Sequence, residues 1–143
     1  MTEIKNYYTK KDLNKVYPVL KELRQSLNKE KFLKLYRKME KQGYKFIGLE
    51  FNGQAICIAG YSINYNFYNE KYIFVYDLVT KNDEQSKGYG KSMLKHLHRI
   101  AKNENCTYIS LESGISRKDA HRFYTEKMGY EKFCLSFRHK LKN

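Results

Sequence analysis

The stretch from Tyr72 to Ser92 constrains this chain more than any other. An apolar, strand-like run, YIFVYDLVT, stops at Thr80, and the polar loop KNDE leads into Gln85-Ser86-Lys87-Gly88-Tyr89-Gly90. Met93, Leu94, Leu97, Ile100 and Ala101 then recur at helical spacing. A strand, a glycine-bearing turn and a helix start, in that order, present unpaired backbone N–H groups to an anion. The helix dipole favours negative charge at the same point. The stretch therefore reads as a phosphate seat for a nucleotide-type cofactor.

The rest of the chain sets the frame for that seat. Its 143 residues suit a single domain, 1–143, with enough apolar residues for a genuine core. The sequence contains no apolar run of membrane-spanning length, and MTEIKNYYTKK lacks the hydrophobic centre of a signal peptide. A cytoplasmic protein with no membrane partner is expected. Cys57, Cys106 and Cys134 are scattered and lack C-x-x-C spacing, which suits inert thiols in a reducing compartment. His96, His98, His121 and His139 show no ligand spacing, so no metal is expected. The net charge of +13 could signal a polyanion. However, the lysines are spread along the chain, and no RNP, helix-turn-helix or zinc pattern accompanies them, so no nucleic-acid partner is expected.

Read in order, residues 2–7 suit a short strand anchored by Ile4. Thr9-x-x-Asp12 resembles a capping box, and Leu13, Val16, Leu20, Leu23 and Leu27 follow at helical steps, with Pro18 predicting a kink or two helical pieces. Asn28 caps a second helix carrying Phe32, Leu35, Tyr36 and Met39 and closed by Gly43. KFIGLEF and QAICIAGYSIN flank Asn52-Gly53, the signal of a two-residue hairpin. After the strand 72–80 and the helix that follows Gly88, TYISLES (107–113) reads as a strand. Ser116 is expected to cap a helix ending near Gly129, and YEKFCLSFRHKL predicts one or two final strands, which could extend the sheet of a homodimer. The order β-α-α-β-β-β-α-β-α-β is a mixed α/β sheet whose 72–113 unit is a parallel β-α-β crossover. Its turn lies at the carboxyl end of the first strand, where ligands of open α/β sheets sit.

The turn is neither a Walker A loop, since G-x-x-x-x-G-K-[ST] is absent, nor a dinucleotide fingerprint, since the third glycine is missing. The pattern is Q-x-x-G-x-G after L-V-T. It resembles the coenzyme A motif, [RQ]-x-x-G-x-[GA], of the GCN5-related N-acetyltransferases (GNAT). DLVT at 77–80 and ISLES at 109–113 are similar to the family's strands on either side. Ala120-x-x-Phe123-Tyr124 followed by Gly129-Tyr130 is similar to A-x-x-[LF]-Y-x-x-x-G-[FY], with one extra residue between tyrosine and glycine. The resemblance implies an α+β fold with a mainly antiparallel sheet, splayed central strands and helices on both faces.

It also implies acetyl-CoA as co-substrate. The pyrophosphate would rest on the backbone of Ser86, Lys87, Gly88, Tyr89, Gly90 and Lys91, with Gln85 and the Ser92 hydroxyl assisting. The pantetheine arm would lie along free backbone at Leu78 and Val79, where an N–H could stabilise an oxyanion. The resemblance makes Tyr124 the acid that protonates the departing thiolate. Asp77 and Glu112, on the flanking strands, are candidates for relaying a proton from the amine, with an ordered water as the alternative. Strand alternation groups Asp77 with Ile73, Val75 and Val79 on one buried face. Ile73 stands where some protein-lysine acetyltransferases carry a glutamate base, which favours other acceptors. Arg117 takes the place of a cofactor-contacting asparagine and could reach a phosphate instead. The activity implied is acetyl transfer to a primary amine of a small molecule, such as a polyamine, amino acid or aminosugar. A protein acetyltransferase and a non-catalytic acyl-CoA sensor are the alternatives.

Overall fold

The computed structural model describes residues 1–143. Its contacts divide the chain into two compact units, Met1–Leu111 and Glu112–Asn143.

The first unit is a five-stranded sheet in chain order, β1 (Thr2–Tyr7), β2 (Lys45–Phe51), β3 (Gln54–Asn66), β4 (Glu70–Thr80) and β5 (Tyr108–Leu111). The first four pair antiparallel, whereas β5 joins β4 in parallel through the intervening helix. Helix α1 (Lys10–Leu23) starts at the capping box read from the sequence. The Thr9 hydroxyl accepts from the Asp12 amide at 3.1 Å, and the Asp12 carboxylate accepts from the Thr9 amide at 3.0 Å. The helix runs unbroken through Pro18, which lies on its exposed side. Asn28 caps α2 (Lys29–Lys41) through the Lys31 amide at 2.8 Å. Asn52 and Gly53 both take positive φ, as the tight β2–β3 hairpin requires.

Helices α1 and α2 cover one face of the sheet, building a core from Leu13, Val16, Leu20, Phe32, Tyr36, Phe46, Ile58 and Val79. The alternate residues Ile47, Cys57 and Ala59 point to the other face, which α3 (Tyr89–Asn103) covers with Met93, Leu94 and Leu97. All six of these side chains are inaccessible to solvent.

A bulge in β4 overturns the alternation expected there. Gly60 pairs with Asp77, but Tyr61 pairs with Val75, so Tyr76 is an extra residue on β4. Strand parity inverts at that point. Asp77 and Val79 face the α1/α2 core, beside Tyr76, while Ile73 and Val75 lie across from Ile63 and Tyr61 on the α3 side. An inserted residue changes face assignment for everything beyond it, and the apolar pattern 73–79 carries no mark of it.

The Cys57 thiol is pushed up to about 11 by burial, against a smaller opposing pull from the Thr80 hydroxyl that donates to its sulfur at 3.4 Å. At about pH 8 only about one part in a thousand is then thiolate, the reactive form. Iodoacetamide is expected to label the exposed Cys134 of the folded chain and to spare Cys57 until denaturant is added, as read by peptide mass spectrometry. Native labelling of Cys57 as fast as Cys134 would show that its burial is wrong.

The second unit holds α4 (Lys118–Arg122), continued by a π-turn at Phe123–Lys127. Arg117, rather than Ser116, occupies the cap position, without a side-chain cap bond. Glu131–Asn143 forms no regular element, so the expected final strands are not present. Phe133, Leu135 and Phe137 do alternate as a strand would, yet all three are exposed. A strand needs a ladder partner as well as a pattern, and local alternation cannot supply one.

Candidate active site

In the first unit the site is built on β4 and on the loop and helix that come after it. On one side β4 pairs with β3 as far as Thr80, and the Lys81 amide extends that ladder to the Ile56 carbonyl at 2.9 Å. On the other side pairing with β5 ends at Val75 opposite Leu111. From Tyr76 to Thr80 that edge has no strand beside it, and Leu78 and Val79 lie on it. The unpaired edge starts at the same residue as the bulge.

A one-turn 3₁₀ segment, Asn82–Glu84, then carries the chain to α3. Two ties hold this loop. The Glu22 carboxylate accepts from the Asn82 amide at 2.6 Å, and the Gln85 side chain donates to Thr80 O and Asn82 Oδ1, both at 3.3 Å. Gln85 thus shapes the loop from within. Ser86 and Gly88 both take positive φ, and a Cβ built at Gly88 would meet nothing within 4 Å, leaving its backbone open to approach.

Gly88 is the N-cap of α3 and provides no side-chain cap, and no acidic residue stands in the first turn. The Ser92 amide is the first to be satisfied within the helix, by Gly88 O at 3.0 Å. The amides of Tyr89, Gly90 and Lys91 are therefore left facing outward, at the positive end of the dipole. Lys87 is exposed and ion-paired with Glu84 at 2.9 Å. That hydrogen bond and the charge behind it raise its pKa, so it stays cationic beside the turn. Lys91 and the Ser92 side chain are exposed in the first turn. A helix start of this kind is suited to an anion such as a phosphate.

Asp77 sits at the bulge with both carboxylate oxygens engaged. Oδ1 is ion-paired with Arg24 at 2.9 Å, and Oδ2 accepts from the Tyr44 hydroxyl at 2.7 Å. Arg24, the C-cap of α1, also donates to Tyr76 O at 3.1 Å. The Tyr76 hydroxyl lies 3.1 Å from the Ser62 hydroxyl, and its ring lies 5.5 Å from that of Tyr44. This arrangement pins the bulge from the α1/α2 side. Sequence reading missed Arg24, Tyr44 and Gly60, because their partners are distant in the chain. The one available signal was Gly60 itself, a glycine inside an apolar strand, which marks close approach by another group.

In the second unit the one-residue departure in the tyrosine motif has a structural counterpart. The Met128 amide donates to Phe123 O at 3.1 Å, where α-helical spacing would choose Tyr124. The extra residue is absorbed as a wider turn, and Gly129 still ends it with φ of 74°. Tyr124 O instead accepts from the Tyr130 amide at 2.9 Å. The half-buried Tyr124 ring packs on Phe123 at 5.4 Å and Tyr130 at 6.0 Å. Glu112 and Arg117 are exposed, and the hydroxyl of Ser113 is buried without a hydrogen-bond partner.

A strand with one unpaired edge leading to an uncapped helix start is a fold-level signature, and the comparisons with known proteins resolve it. The profile of the Acetyltransferase (GNAT) family matches residues 9–130. The chain belongs to the GNAT acetyltransferase family. A relative from Bacillus subtilis strain 168, described as an uncharacterized N-acetyltransferase, YhdJ, is 34% identical over 131 residues, covering 91% of this chain and 92% of the relative. Among solved GNAT-fold structures, AAC(6')-Iy in complex with the bisubstrate analogue CoA-S-monomethyl-acetylneamine superposes with a TM-score of 0.84. It is 14% identical, with 100% of this chain and 99% of that one covered. A GNAT acetyltransferase from Staphylococcus aureus gives 0.79 at 20% identity, with 98% of each chain covered. At such identities the structural likeness concerns the fold. No helix of this GNAT chain is long and apolar enough to cross a membrane, and no group of three or more His, Cys, Asp or Glu side chains converges as metal ligands would.

Proposed function

We propose that the chain is an N-acetyltransferase that moves acetyl from acetyl-CoA directly to a primary amine of a small molecule. The observation that carries this reading is the continuity of β4. One strand offers an unpaired edge from Tyr76 to Thr80 and then leads into a helix whose N-cap makes no side-chain bond and whose first turn holds no acidic residue. An extended acyl-pantetheine arm ending in a pyrophosphate matches that sequence of features. The two compact units form one acetyltransferase domain in this reading, since the family match runs across the boundary between them.

Each residue then has a task. Tyr89, Gly90 and Lys91 bind phosphate through their amides, Lys87 adds positive charge, and Gln85 keeps the loop in shape. Backbone groups at Leu78 and Val79 hold the arm and offer an N–H to the thioester oxygen, where negative charge develops as the amine attacks. Acetyl-CoA brings an activated acyl group on a thiolate leaving group. Tyr124 donates the proton that the sulfur takes up. Arg117 contributes positive charge toward the cofactor. Asp77, whose two oxygens are engaged by Arg24 and Tyr44, serves better as an electrostatic anchor near the amine than as a free base. That leaves Glu112 or water to take the proton, which an alkylammonium of pKa about 10.4 must lose before attack. A small-molecule acceptor is in keeping with the shared fold of the aminoglycoside N-acetyltransferase AAC(6')-Iy, solved with the bisubstrate analogue CoA-S-monomethyl-acetylneamine.

Thiol release from acetyl-CoA, measured across polyamines, aminosugars, amino acids and short peptides, tests the proposal. Turnover confined to small amines is the expected result. Acetyl-CoA binding without thiol release on any member of the panel would point to a sensor instead.

A further inference from the structure

The end of α1 reaches β4 and the loop after it at two places, and the unpaired edge lies between them. At the near end Arg24 Nε donates to Asp77 Oδ1 at 3.1 Å. Its Nη2 lies 2.9 Å from the same oxygen and donates to Tyr76 O at 3.1 Å. At the far end the Glu22 carboxylate accepts from the Asn82 amide at 2.6 Å. Tyr76 is the extra residue of the bulge, and Asn82 opens the 3₁₀ segment that leads to the α3 turn. Leu78 and Val79 stand between the two contacts, on the edge that no strand covers.

Tyr76 has no register partner on β3 and none on β5, so the sheet alone leaves its backbone loosely held. Arg24 supplies the missing constraint. The peptide unit is planar, so holding the Tyr76 carbonyl holds the plane that joins it to Asp77. The same guanidinium, a rigid planar fork, grips the side chain of that next residue. The orientation in which Leu78 and Val79 follow is thereby set from α1. The base of the grip is itself fixed. Arg24 N donates to Leu20 O at 2.8 Å, and Arg24 O accepts from the Leu27 amide at 3.0 Å. Leu27 O in turn accepts from the Tyr17 hydroxyl at 2.8 Å and from Lys21 Nζ at 3.1 Å.

We propose that the end of α1 is a two-point clamp, with Arg24 and Glu22 as positioning residues that hold the unpaired edge in the shape an acyl-pantetheine arm requires. Both act through the backbone of β4 and its loop rather than on the arm. This role rests on the N-acetyltransferase reading and extends it to residues outside the edge and the turn. An edge held in place loses less freedom when an extended ligand pairs with it, and preorganisation of that kind adds affinity.

The test uses two probes on the intact chain: coenzyme A, which carries the arm, and ADP, which carries a pyrophosphate without it. Calorimetric titration measures both affinities, and circular dichroism establishes that each variant is folded. Arg24→Met is expected to weaken coenzyme A about tenfold and to leave ADP within about twofold. Arg24→Lys keeps a charge opposite Asp77 but lacks the fork, and is expected to stay about fivefold weaker than the parent for coenzyme A. Glu22→Ala frees the loop before the α3 turn and is expected to weaken both probes about fivefold, whereas Glu22→Gln, which keeps an acceptor oxygen, restores them. Should Arg24→Met fail to fold, Arg24→Met with Asp77→Asn removes the carboxylate left without its cation and carries the same expectation. Parent-like coenzyme A affinity in Arg24→Met, an equal loss for ADP, or full recovery by Arg24→Lys would overturn the clamp. The expected pattern with no thiol release on any amine would uphold the clamp and remove the transferase reading. A parent chain that binds no coenzyme A would remove both.

Discussion

The Gly60→Ala chain is expected to be about 3 kcal/mol less stable than the parent, with a melting temperature about 10 °C lower. A Cβ at Gly60 would fall 1.6 Å from the Tyr44 hydroxyl oxygen and 2.3 Å from its Cζ. Tyr44 cannot easily swing aside. Its ring meets the edge of Phe46 at 4.9 Å and of Tyr36 at 6.4 Å, and its hydroxyl is fixed to the buried Asp77. Two costs combine. Overpacking a filled core typically costs about 1–3 kcal/mol. Displacing the hydroxyl also deprives a buried carboxylate of a donor, at about 1–3 kcal/mol. Urea and thermal unfolding followed by circular dichroism measure the sum. A melting temperature within about 2 °C of the parent would mean that Tyr44 does not lie across β3 at Gly60.

Tyr124→Phe is expected to lower kcat by about a hundredfold to a thousandfold and to leave the KM for acetyl-CoA within about twofold. Phenylalanine keeps the ring and its packing on Phe123 and Tyr130, so the π-turn should survive. What is lost is the hydroxyl, and with it, in the proposed mechanism, the proton for the departing sulfur. A thiolate of pKa near 8.5 can leave unaided, only more slowly, so residual turnover is part of the expectation. Steady-state thiol release at saturating amine separates the two parameters. A loss of kcat smaller than threefold would remove Tyr124 from the chemistry and leave it a packing role.

The sequence by itself determined those features that rest on local chemistry. Thr9 and Asp12 form their capping box, Asn28 its cap and Asn52-Gly53 its hairpin, because each is an exchange of hydrogen bonds or a φ preference within a few residues. The start of α3 was legible for the same reason, since a glycine-bearing turn followed at once by an apolar helical pattern is a local signal. The extra residue before Gly129 could be counted in the sequence, although only the fold absorbed it as a π-turn.

Tertiary structure decided the rest. The bulge at Tyr76 turned Asp77 toward α1 and α2, where Arg24 and Tyr44 occupy its oxygens. A face reversal depends on the pairing with β3, which local alternation does not encode. The final strands read from Tyr130 onward did not form, since a strand pattern is satisfied only by a neighbour that completes its ladder. The proposed phosphate seat is local and could be read from residues in a row. The Asp77, Arg24 and Tyr44 arrangement at the bulge is assembled from separated elements, and only folding brings them together.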